Sequence, residues 1–393
     1  MASSGQSVGN PQWGGLNLLR GVAIILVLGR HMPFDPATDV FPGAAFLRVW
    51  KQCGWMGVDL FFVLSGFLVS SLLLGEYKQT SGIKPGRFLI RRSLKILPVF
   101  FLFLLVTITL AFLHSSHLPP VSAIVSEFLF VQNYGPSLWN HTWSLAVEVH
   151  FYLIVTLFAV LASRHLRLRP FIPGFLLLCL SICFVARCLT ALAWPFGERI
   201  HMFPTHLRLD SMGAGVLIAW AWQQPWMQPL LASSRWALFP LVGLVLWPVF
   251  VPVESAIWCY TLGLTFLYIG FGALLLLTIS SPGAARVERL PLMLPLAWIG
   301  QHSYSIYLWH MPMKFWPRLA VERVMGVSLP TWIACLLYVV CGIVFGGLMS
   351  TWIELRILAI RDKYFPRTGM RSANPPISSR MQKNPAHRPR IVG

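Results

Sequence analysis

The feature that most constrains the fold is a series of about ten apolar segments, each near the roughly 20 residues that a helix needs to cross a membrane. They run at 16–34, 56–75, 94–113, 144–162, 171–190, 207–223, 236–253, 256–279, 297–316 and 329–355. A chain that is 56% hydrophobic and 11% charged over 393 residues is not typical of a soluble domain. We therefore predict an all-α, polytopic membrane protein with about ten transmembrane helices.

Basic clusters between these segments predict the orientation of the chain. Lys and Arg follow the second, fourth and eighth segments and recur in the C-terminal tail. All of these clusters lie on one side of the membrane if the N-terminus is cytoplasmic. An even number of spans then places both termini in the cytoplasm. The segment at 236–253 is the least regular, since Pro240, Pro248 and Pro252 interrupt it.

The chain divides into three predicted regions. Residues 1–15 form an N-terminal cytoplasmic segment, without the charged start and cleavage site of a removable signal peptide. Residues 16–360 form the membrane domain. Residues 361–393 form a basic cytoplasmic tail, whose content of Pro, Arg, Ser and Asn predicts disorder.

The formal net charge of +18 does not indicate a nucleic-acid partner. The Lys and Arg residues lie in short clusters next to apolar segments, a pattern that sets topology and binds anionic membrane lipid. The seven cysteines are scattered without paired or metal-ligand spacing. We predict that they pack as small hydrophobic side chains and that the protein uses no metal.

The first apolar segment carries two polar residues on one helical face. Arg20 and His31 are about three helical turns apart, which separates them by roughly 16 Å along the axis. An unpaired imidazole deep in a membrane is costly unless the site uses it. His31 is therefore either a catalytic residue or a residue that only hydrogen-bonds a neighbouring helix.

A cationic cluster opens the third span. Arg92 and Lys95 are three residues apart, and Arg91 and Lys95 are four apart, so all three crowd one helical surface near the cytoplasmic headgroups. Such a cluster either anchors the helix by the positive-inside rule or, when it faces a cavity, binds the diphosphate of a carrier such as coenzyme A.

Further polar residues are predicted in the opposite, outer half of the spans. They are Asp59, Ser65, Glu148, Tyr152, Asp210 and His310. Glu148 and Tyr152 share a helical face because they are four residues apart. An intramembrane carboxylate is a functional candidate by default, although it can equally be half of a buried ion pair, such as Arg208 with Asp210.

The order of these motifs resembles the acyltransferase 3 family of integral membrane acyltransferases. The motifs are Arg20 with His31, GVDLFFVLSGF at 57–67, RRSLKILP at 91–98, TWSLAVE at 142–148, RLD at 208–210 and SYSIYLWH at 303–310. They cover about residues 16–355. The resemblance implies a ten-span fold, in a bacterial inner membrane, that moves an acyl group, usually acetyl, from acyl-CoA to a hydroxyl of an extracytoplasmic carbohydrate.

The resemblance also implies residue roles. His31 would be the essential catalytic histidine with Arg20 as its partner, Arg92 and Lys95 would occupy a two-arginine signature, and Glu148 would be the acidic residue of its motif. Lys95 departs from the pattern, because lysine keeps the charge but lacks the planar fork of arginine. The second acid that often follows Glu148 is missing as well. Since no soluble esterase-like domain follows the last span, we expect a stand-alone transferase core.

The resulting hypothesis assigns a function to each polar group. The catalytic residues are His31 and Glu148; the acyl-CoA site consists of Arg20, Arg91, Arg92 and Lys95; the acceptor site consists of Asp59, Ser65, Tyr152, Asp210 and His310. His31 acts as a general base or, alternatively, forms a covalent acyl-histidine. The competing interpretations are a membrane transporter with a His/Glu/Arg pathway and a catalytically silent scaffold. The sequence names neither the acceptor nor the length of the acyl chain.

Overall fold

The structure is a computed structural model that describes residues 15–115, 117–164 and 171–366, and over these ranges it is helical with no strand. The α-helices are α1 Leu16–Arg30, α2 Ala44–Cys53, α3 Met56–Thr80, α4 Pro85–Ser115, α5 Val121–Phe128, α6 Trp143–Arg164, α7 Ile172–Ala193, α8 Glu198–His201, α9 Leu209–Trp222, α10 Met227–Ser234, α11 Leu238–Gly243, α12 Trp247–Phe250, α13 Ile257–Tyr260, α14 Leu262–Ser280, α15 Ala284–Glu288, α16 Leu294–Gln301, α17 Ser303–Met325, α18 Thr331–Met349 and α19 Leu355–Tyr364. A π-helical turn, Ser350–Glu354, joins α18 to α19. The predicted N-terminal segment up to residue 14 and the predicted tail from residue 367 lie outside the described residues.

Helices long and apolar enough to cross a membrane confirm the polytopic, all-α prediction. Within the described ranges there are seven: Met56–Thr80, Pro85–His114, Asn140–Arg164, Ile172–Ala193, Met227–Phe250, Leu262–Ser280 and Thr331–Tyr364. The other three predicted spans correspond to α1, α9 and α17. Helices α1 and α9 have only 15 and 14 residues, and α17 carries charged residues such as Lys314 and Glu322 in its second half. The number of ten spans and the cytoplasmic position of both termini stay predictions.

The proline-rich segment is helical but broken, as its sequence suggests. Between Met227 and Phe250 the chain forms three short α-helices separated by 3-10 turns at Arg235–Ala237 and Leu244–Leu246. Proline lacks the backbone N–H that an uninterrupted helix needs, and its ring crowds the preceding turn. Pro240 and Pro248 both lie within this stretch.

Helix α1 lies at the centre of the bundle, where it packs against α2, α3, α14, α16 and α17. Helices α3 and α9 approach each other closely, and glycines make this possible. A Cβ on Gly66 would lie 2.0 Å from the Met212 carbonyl oxygen, and one on Gly215 would lie 2.3 Å from the Val63 carbonyl oxygen. Small residues at such contacts let two membrane helices pack backbone against backbone. This contact fixes α3, which carries residues of both cavities described below.

The segment between α4 and α6 folds over the start of α6. Glu127 of α5 is fully buried and accepts hydrogen bonds from the backbone N–H of Leu138 (3.0 Å) and Trp139 (3.3 Å) and from the hydroxyl of Thr142 (2.9 Å). Burial raises the pKa of the Glu127 carboxyl to about 7 in spite of these three bonds. Thr142 itself is fully buried, so α6 begins beneath this cover rather than at the protein surface.

The last helix packs against the start of α4. Arg91 makes an ion pair with Asp362 at 2.8 Å and donates a hydrogen bond to the Phe365 carbonyl. Helix α19 continues to Tyr364, four residues past the end predicted for the membrane domain at residue 360. Helix α19 continues α18 through the π-helical turn, and its residues contact α4.

Candidate active site

One cavity, of about 720 Å³, lies between helices α1, α3, α4, α6 and α17. We call it the cation cavity, because three cationic side chains line it: Arg20 of α1 and Arg92 and Lys95 of α4. Glu148 of α6 is its one carboxylate among the described residues. Apolar and hydroxyl side chains of α3, α6 and α17 complete the lining. Three positive groups against one negative group make the cavity attractive to an anion.

The cations of this cavity are not neutralised by nearby carboxylates. In the part of the chain that the structure describes, no carboxylate lies within salt-bridge distance of Arg20, Arg92 or Lys95. The Arg92 guanidinium instead lies 5.5 Å from the ring centres of Phe88 and Tyr152. These aromatic contacts fix the plane of the guanidinium while leaving its N–H groups available to a ligand.

The structure places Glu148, Ser65 and Tyr152 in the cation cavity, and this corrects the prediction that they belong to the opposite half. The Ser65 hydroxyl donates to Glu148 Oε1 at 2.8 Å, and the Tyr152 hydroxyl donates to the same oxygen. These three residues line the same cavity as Arg92 and Lys95 of α4, so they do not lie apart from the cationic cluster. The start of α6 is buried inside the protein by the covering segment.

A second cavity, of about 610 Å³, lies toward the end of α1. We call it the histidine cavity, because His31 and His141 both line it. Its lining also includes the ion pair between Arg30 and Glu198, which joins the end of α1 to α8. Arg208 contributes a further buried cation.

The ring of His31 is held by its Nδ1 atom. Nδ1 lies 3.2 Å from the Val27 carbonyl oxygen, one turn earlier in α1, and 3.3 Å from Nε2 of His310. A carbonyl only accepts, so the Nδ1 atom carries the proton and donates. The Nε2 atom of His31 makes no hydrogen bond with the described residues and bears the lone pair. A neutral imidazole with a free Nε2 lone pair is suited to accept a proton from a hydroxyl.

The two cavities share a wall made by Val58 of α3 and Tyr307 of α17, which line both. The Tyr307 hydroxyl donates to the His141 carbonyl at 2.7 Å and lies 2.6 Å from the Ser144 hydroxyl. These bonds hold the Tyr307 ring in place between the two cavities. At this wall, the side chains of Val58 and Tyr307 each face both cavities.

Four predicted site residues, Asp59, Arg91, Asp210 and His310, line neither cavity. Asp59 accepts hydrogen bonds from Arg208 (2.7 Å) and from the Ser211 hydroxyl (3.1 Å), and Asp210 forms an ion pair with Arg187. Both carboxyls are fully buried. The alternative pairing of Arg208 with Asp210 is thus replaced by two crossed pairs. Asp59 still bears on the histidine cavity, since it holds Arg208 in the lining.

The third of these residues is Arg91, which makes the ion pair with Asp362 rather than facing the cation cavity. His310, predicted to contact the acceptor, is fully buried and lines neither cavity. It lies behind His31 instead. Sequence reasoning missed Tyr307 as a wall residue and His141 as a cavity residue, although both stand within motifs quoted above or directly beside them. Neither has a spacing that would indicate its position.

Three histidine rings, those of His31, His141 and His310, lie close together. The ring centre of His310 is 5.0 Å from each of the other two. One nitrogen of each ring faces a backbone carbonyl, and His31 and His310 also face each other. Within the described ranges no group of three His, Cys, Asp or Glu side chains is arranged to hold a metal ion. The cluster therefore offers imidazole nitrogens that can accept protons.

Fold and site together define a multi-pass membrane protein with a buried polar site that is divided into an anion-attracting half and a histidine half. The chain belongs to the acyltransferase 3 family, since the profile of that family's acyltransferase domain matches residues 13–351. The family resemblance seen in the sequence is thereby confirmed. The transporter and scaffold interpretations lose their support, because the matched region covers all the helices that line the two cavities.

Curated relatives carry names that describe the same kind of enzyme. The chain is 28% identical to the peptidoglycan O-acetyltransferase OatA of Listeria monocytogenes over 321 residues, which are 75% of this chain and 48% of that protein. It is 27% identical to the O-acetyltransferase OatA of Staphylococcus aureus, over 76% of this chain and 50% of that protein. A putative peptidoglycan O-acetyltransferase of Bacillus subtilis, YrhL, is also 27% identical, over 76% and 48%. The chain spans about half the length of these relatives, and no solved structure matches it.

Proposed function

We propose that the protein is a membrane O-acetyltransferase that takes an acetyl group from acetyl-CoA in the cytoplasm and moves it to a carbohydrate hydroxyl on the other side of the membrane. The observation that carries this proposal is the division of the site into two cavities with a shared wall. A donor and an acceptor that come from opposite sides need separate binding spaces that meet at the reacting group. The inferred setting is a bacterial inner membrane, because the named relatives are bacterial.

The cation cavity fits the donor. Coenzyme A carries phosphates, and the planar guanidinium groups of Arg20 and Arg92 suit bidentate phosphate binding, while the Lys95 ammonium supplies a compact charge. Since no carboxylate of the described residues forms a salt bridge with these groups, they stay available to a phosphate. Glu148, held by Ser65 and Tyr152, limits the net positive charge of the cavity. We assign it to positioning the thioester arm.

The histidine cavity fits the acceptor. It lies across Val58 and Tyr307 from the cation cavity. The relatives that are named peptidoglycan O-acetyltransferases carry a carbohydrate polymer in their names as the acceptor. Arg208 and the Arg30–Glu198 pair supply hydrogen-bond donors and acceptors of the kind that bind sugar hydroxyls. The chain's share of about half of each relative leaves room for differences in the acceptor, so we propose the class, a carbohydrate hydroxyl, rather than one polymer.

The reaction follows from the placement of His31. Its Nε2 atom accepts the proton of the acceptor hydroxyl as the oxygen attacks the thioester carbonyl carbon. The carbon–sulfur bond breaks, the thiolate leaves as coenzyme A, and the proton passes from His31 to the sulfur. One acetyl ester and one thiol are formed from one thioester and one alcohol, and the histidine returns to its neutral state.

The test uses purified protein in lipid with acetyl-CoA labelled in the acetyl group and soluble peptidoglycan strands as acceptor. For His31→Ala we expect acetyl-CoA to bind with unchanged affinity and acetyl transfer to fall by several orders of magnitude, because a positioned base contributes about 10²- to 10⁴-fold. The matched control is His114→Ala, an exposed histidine at the end of α4, which should leave transfer unchanged.

Two results would overturn the proposal. Full transfer by the His31→Ala protein would remove His31 from the chemistry. Wild-type protein that binds neither acetyl-CoA nor longer acyl-CoA would remove the donor site. Acetyl label trapped on His31 in the absence of acceptor would replace the general-base route with the acyl-histidine route, while keeping the overall function.

A further inference from the structure

His310 has a fixed orientation that follows from its own helix. Its Nδ1 atom lies 2.5 Å from the Tyr307 carbonyl oxygen, three residues earlier in α17. Because a carbonyl only accepts, Nδ1 carries the proton, and a neutral His310 then has a lone pair on Nε2. That lone pair faces Nδ1 of His31 at 3.3 Å. A lone pair attracts only an N–H, so whichever nitrogen of His31 faces His310 must carry the proton.

The surroundings of His310 keep this arrangement neutral and rigid. The residue is fully buried, with the rings of His141, Tyr307 and Tyr338 at 5.0, 5.7 and 6.4 Å between centres. No carboxylate among the described residues bonds to it. An aspartate in this position would hold a charge in an apolar setting, whereas a neutral imidazole accepts the same hydrogen bond at a much smaller desolvation cost.

A proline explains how His141 is brought against this pair. Pro312 lies inside α17 and cannot donate the helical hydrogen bond that the Leu308 carbonyl, four residues earlier, would normally receive. The His141 ring fills this gap, with its Nε2 atom 3.2 Å from the Leu308 oxygen. His141 then closes the far side of His310 with its ring at 77° to it. Pro312 therefore leaves the Leu308 carbonyl available to His141, and this contact places the His141 ring beside His310.

We propose that His310 is a positioning residue, which turns the N–H of His31 inward and thereby presents the lone pair of His31 to the histidine cavity. This inference rests on the proposed function of His31 as the proton acceptor. When His31 takes up a proton at Nε2, its inward N–H becomes part of a cation, and the bond to His310 strengthens as charge develops. His310 touches no substrate and acts through His31 alone.

The test compares His310→Phe with His310→Gln. Phenylalanine keeps an aromatic ring but removes the acceptor, while the amide oxygen of glutamine can replace Nε2 as an acceptor. For His310→Phe we expect kcat to fall about 10- to 100-fold, the loss of one charge-assisted hydrogen bond, with the dissociation constant for acetyl-CoA unchanged. His310→Gln should recover most of this loss.

A second readout reports on His31 directly. Nitrogen-15 NMR of protein labelled at histidine, with the His31 signals assigned by their loss in His31→Ala, distinguishes a protonated from an unprotonated ring nitrogen. Wild type and His310→Gln should show one tautomer with Nδ1 protonated. His310→Phe should show a larger share of the other tautomer, because the Val27 carbonyl is then the one remaining acceptor for the Nδ1 proton. Thermal unfolding and acetyl-CoA binding of each variant establish that it is folded.

The outcomes separate this inference from the proposed function. If both variants lose activity equally while the His31 spectrum stays that of wild type, His310 is only a packing residue and the inference fails. If His310→Phe keeps wild-type kcat and spectrum, it also fails. If the spectra change as expected but the wild-type protein transfers no acetyl group, the inference about the geometry of His31 holds and the proposed function fails.

Discussion

Two adjacent arginines of α4, Arg91 and Arg92, have different surroundings. Arg92 lines the cation cavity between two aromatic rings, whereas Arg91 turns to the other side of the helix and pairs with Asp362 of α19. Neighbouring positions on a helix are about 100° apart, so only one of them can face the cavity. A substitution of Arg91 can therefore serve as the control for the same substitution of Arg92.

We predict that Arg92→Gln weakens acetyl-CoA binding by about 10- to 100-fold, because a guanidinium bound to phosphate contributes a charge-assisted hydrogen bond. Arg91→Gln, which breaks an ion pair with a half-exposed carboxylate, should change the affinity by about twofold or less. Isothermal titration of the two variants with acetyl-CoA measures both values. Equal weakening by the two substitutions would contradict the assignment of Arg92, and not Arg91, to the donor site.

Residue types were easier to predict than residue partners. His31, Arg92 and Lys95 were singled out because a membrane helix seldom carries such groups without a use for them. The partner of each buried charge was not predictable in the same way. Asp59 pairs with Arg208 across α3 and α9, and no spacing in the sequence indicates a contact between residues so far apart.

At the scale of elements, the segment that covers the start of α6 depends on one buried carboxyl. Glu127 has a pKa of about 7 in the folded protein, raised by burial from the ordinary value of 4.5. A carboxyl whose folded pKa is raised stabilises the fold fully below its unfolded pKa, and this contribution is lost as the pH rises through the folded pKa. The cover should therefore be most stable in mildly acidic solution.

We predict that the unfolding temperature of the wild type falls between pH 5 and pH 8 by more than that of Glu127→Gln. Glutamine can accept the same three hydrogen bonds through its amide oxygen but has no proton to lose. The pH-dependent part amounts to at most about 3 kcal/mol, from a pKa difference of about 2.5 units. Parallel pH dependence of the two proteins, measured by thermal unfolding in lipid nanodiscs, would show that Glu127 does not titrate in this range.

The positions of the helices along the chain were easier to predict from the sequence than the packing of one helix against another. The apolar runs locate most of the helices, and the prolines at 240 and 248 correctly mark an irregular one. The cavity that a residue of α6 lines was less accessible, because it depends on how α6 packs against α3 and α4. A helix start read from sequence gives the register of Glu148 on its helix but not its height relative to α3.

For the molecule as a whole, the two cavities meet at a shared wall, which Val58 and Tyr307 form. In the reaction proposed above, the acetyl group reaches His31 between these two side chains. Helical content and membrane insertion followed from composition. The wall did not, since it results from the meeting of α3 and α17, which are more than 200 residues apart along the chain.

We predict that Val58→Phe blocks transfer while leaving the donor bound. The larger ring fills the passage and displaces the thioester from His31, and a displacement of about 1 Å can cost on the order of 100-fold in rate. Val58→Thr has nearly the same shape as valine and serves as the control, with transfer close to that of wild type. The assay measures acetyl transfer and acetyl-CoA affinity on the same preparations.

The prediction fails if Val58→Phe transfers acetyl at the wild-type rate. It also fails if the substitution abolishes acetyl-CoA binding, because the passage would then belong to the donor site rather than separate the two. A folded protein, as judged by its unfolding temperature, is required of both variants.

The same wall has a consequence for the energy of the cell. A protein open from one face of the bilayer to the other would conduct protons and discharge the gradient that drives synthesis and transport. In the reaction proposed above, Val58 and Tyr307 separate the two halves of the site, so only a group of two carbon atoms changes sides, and neither the nucleotide nor the sugar leaves its own compartment. The proposed reaction would then export acetyl groups without a separate transporter and without a proton leak.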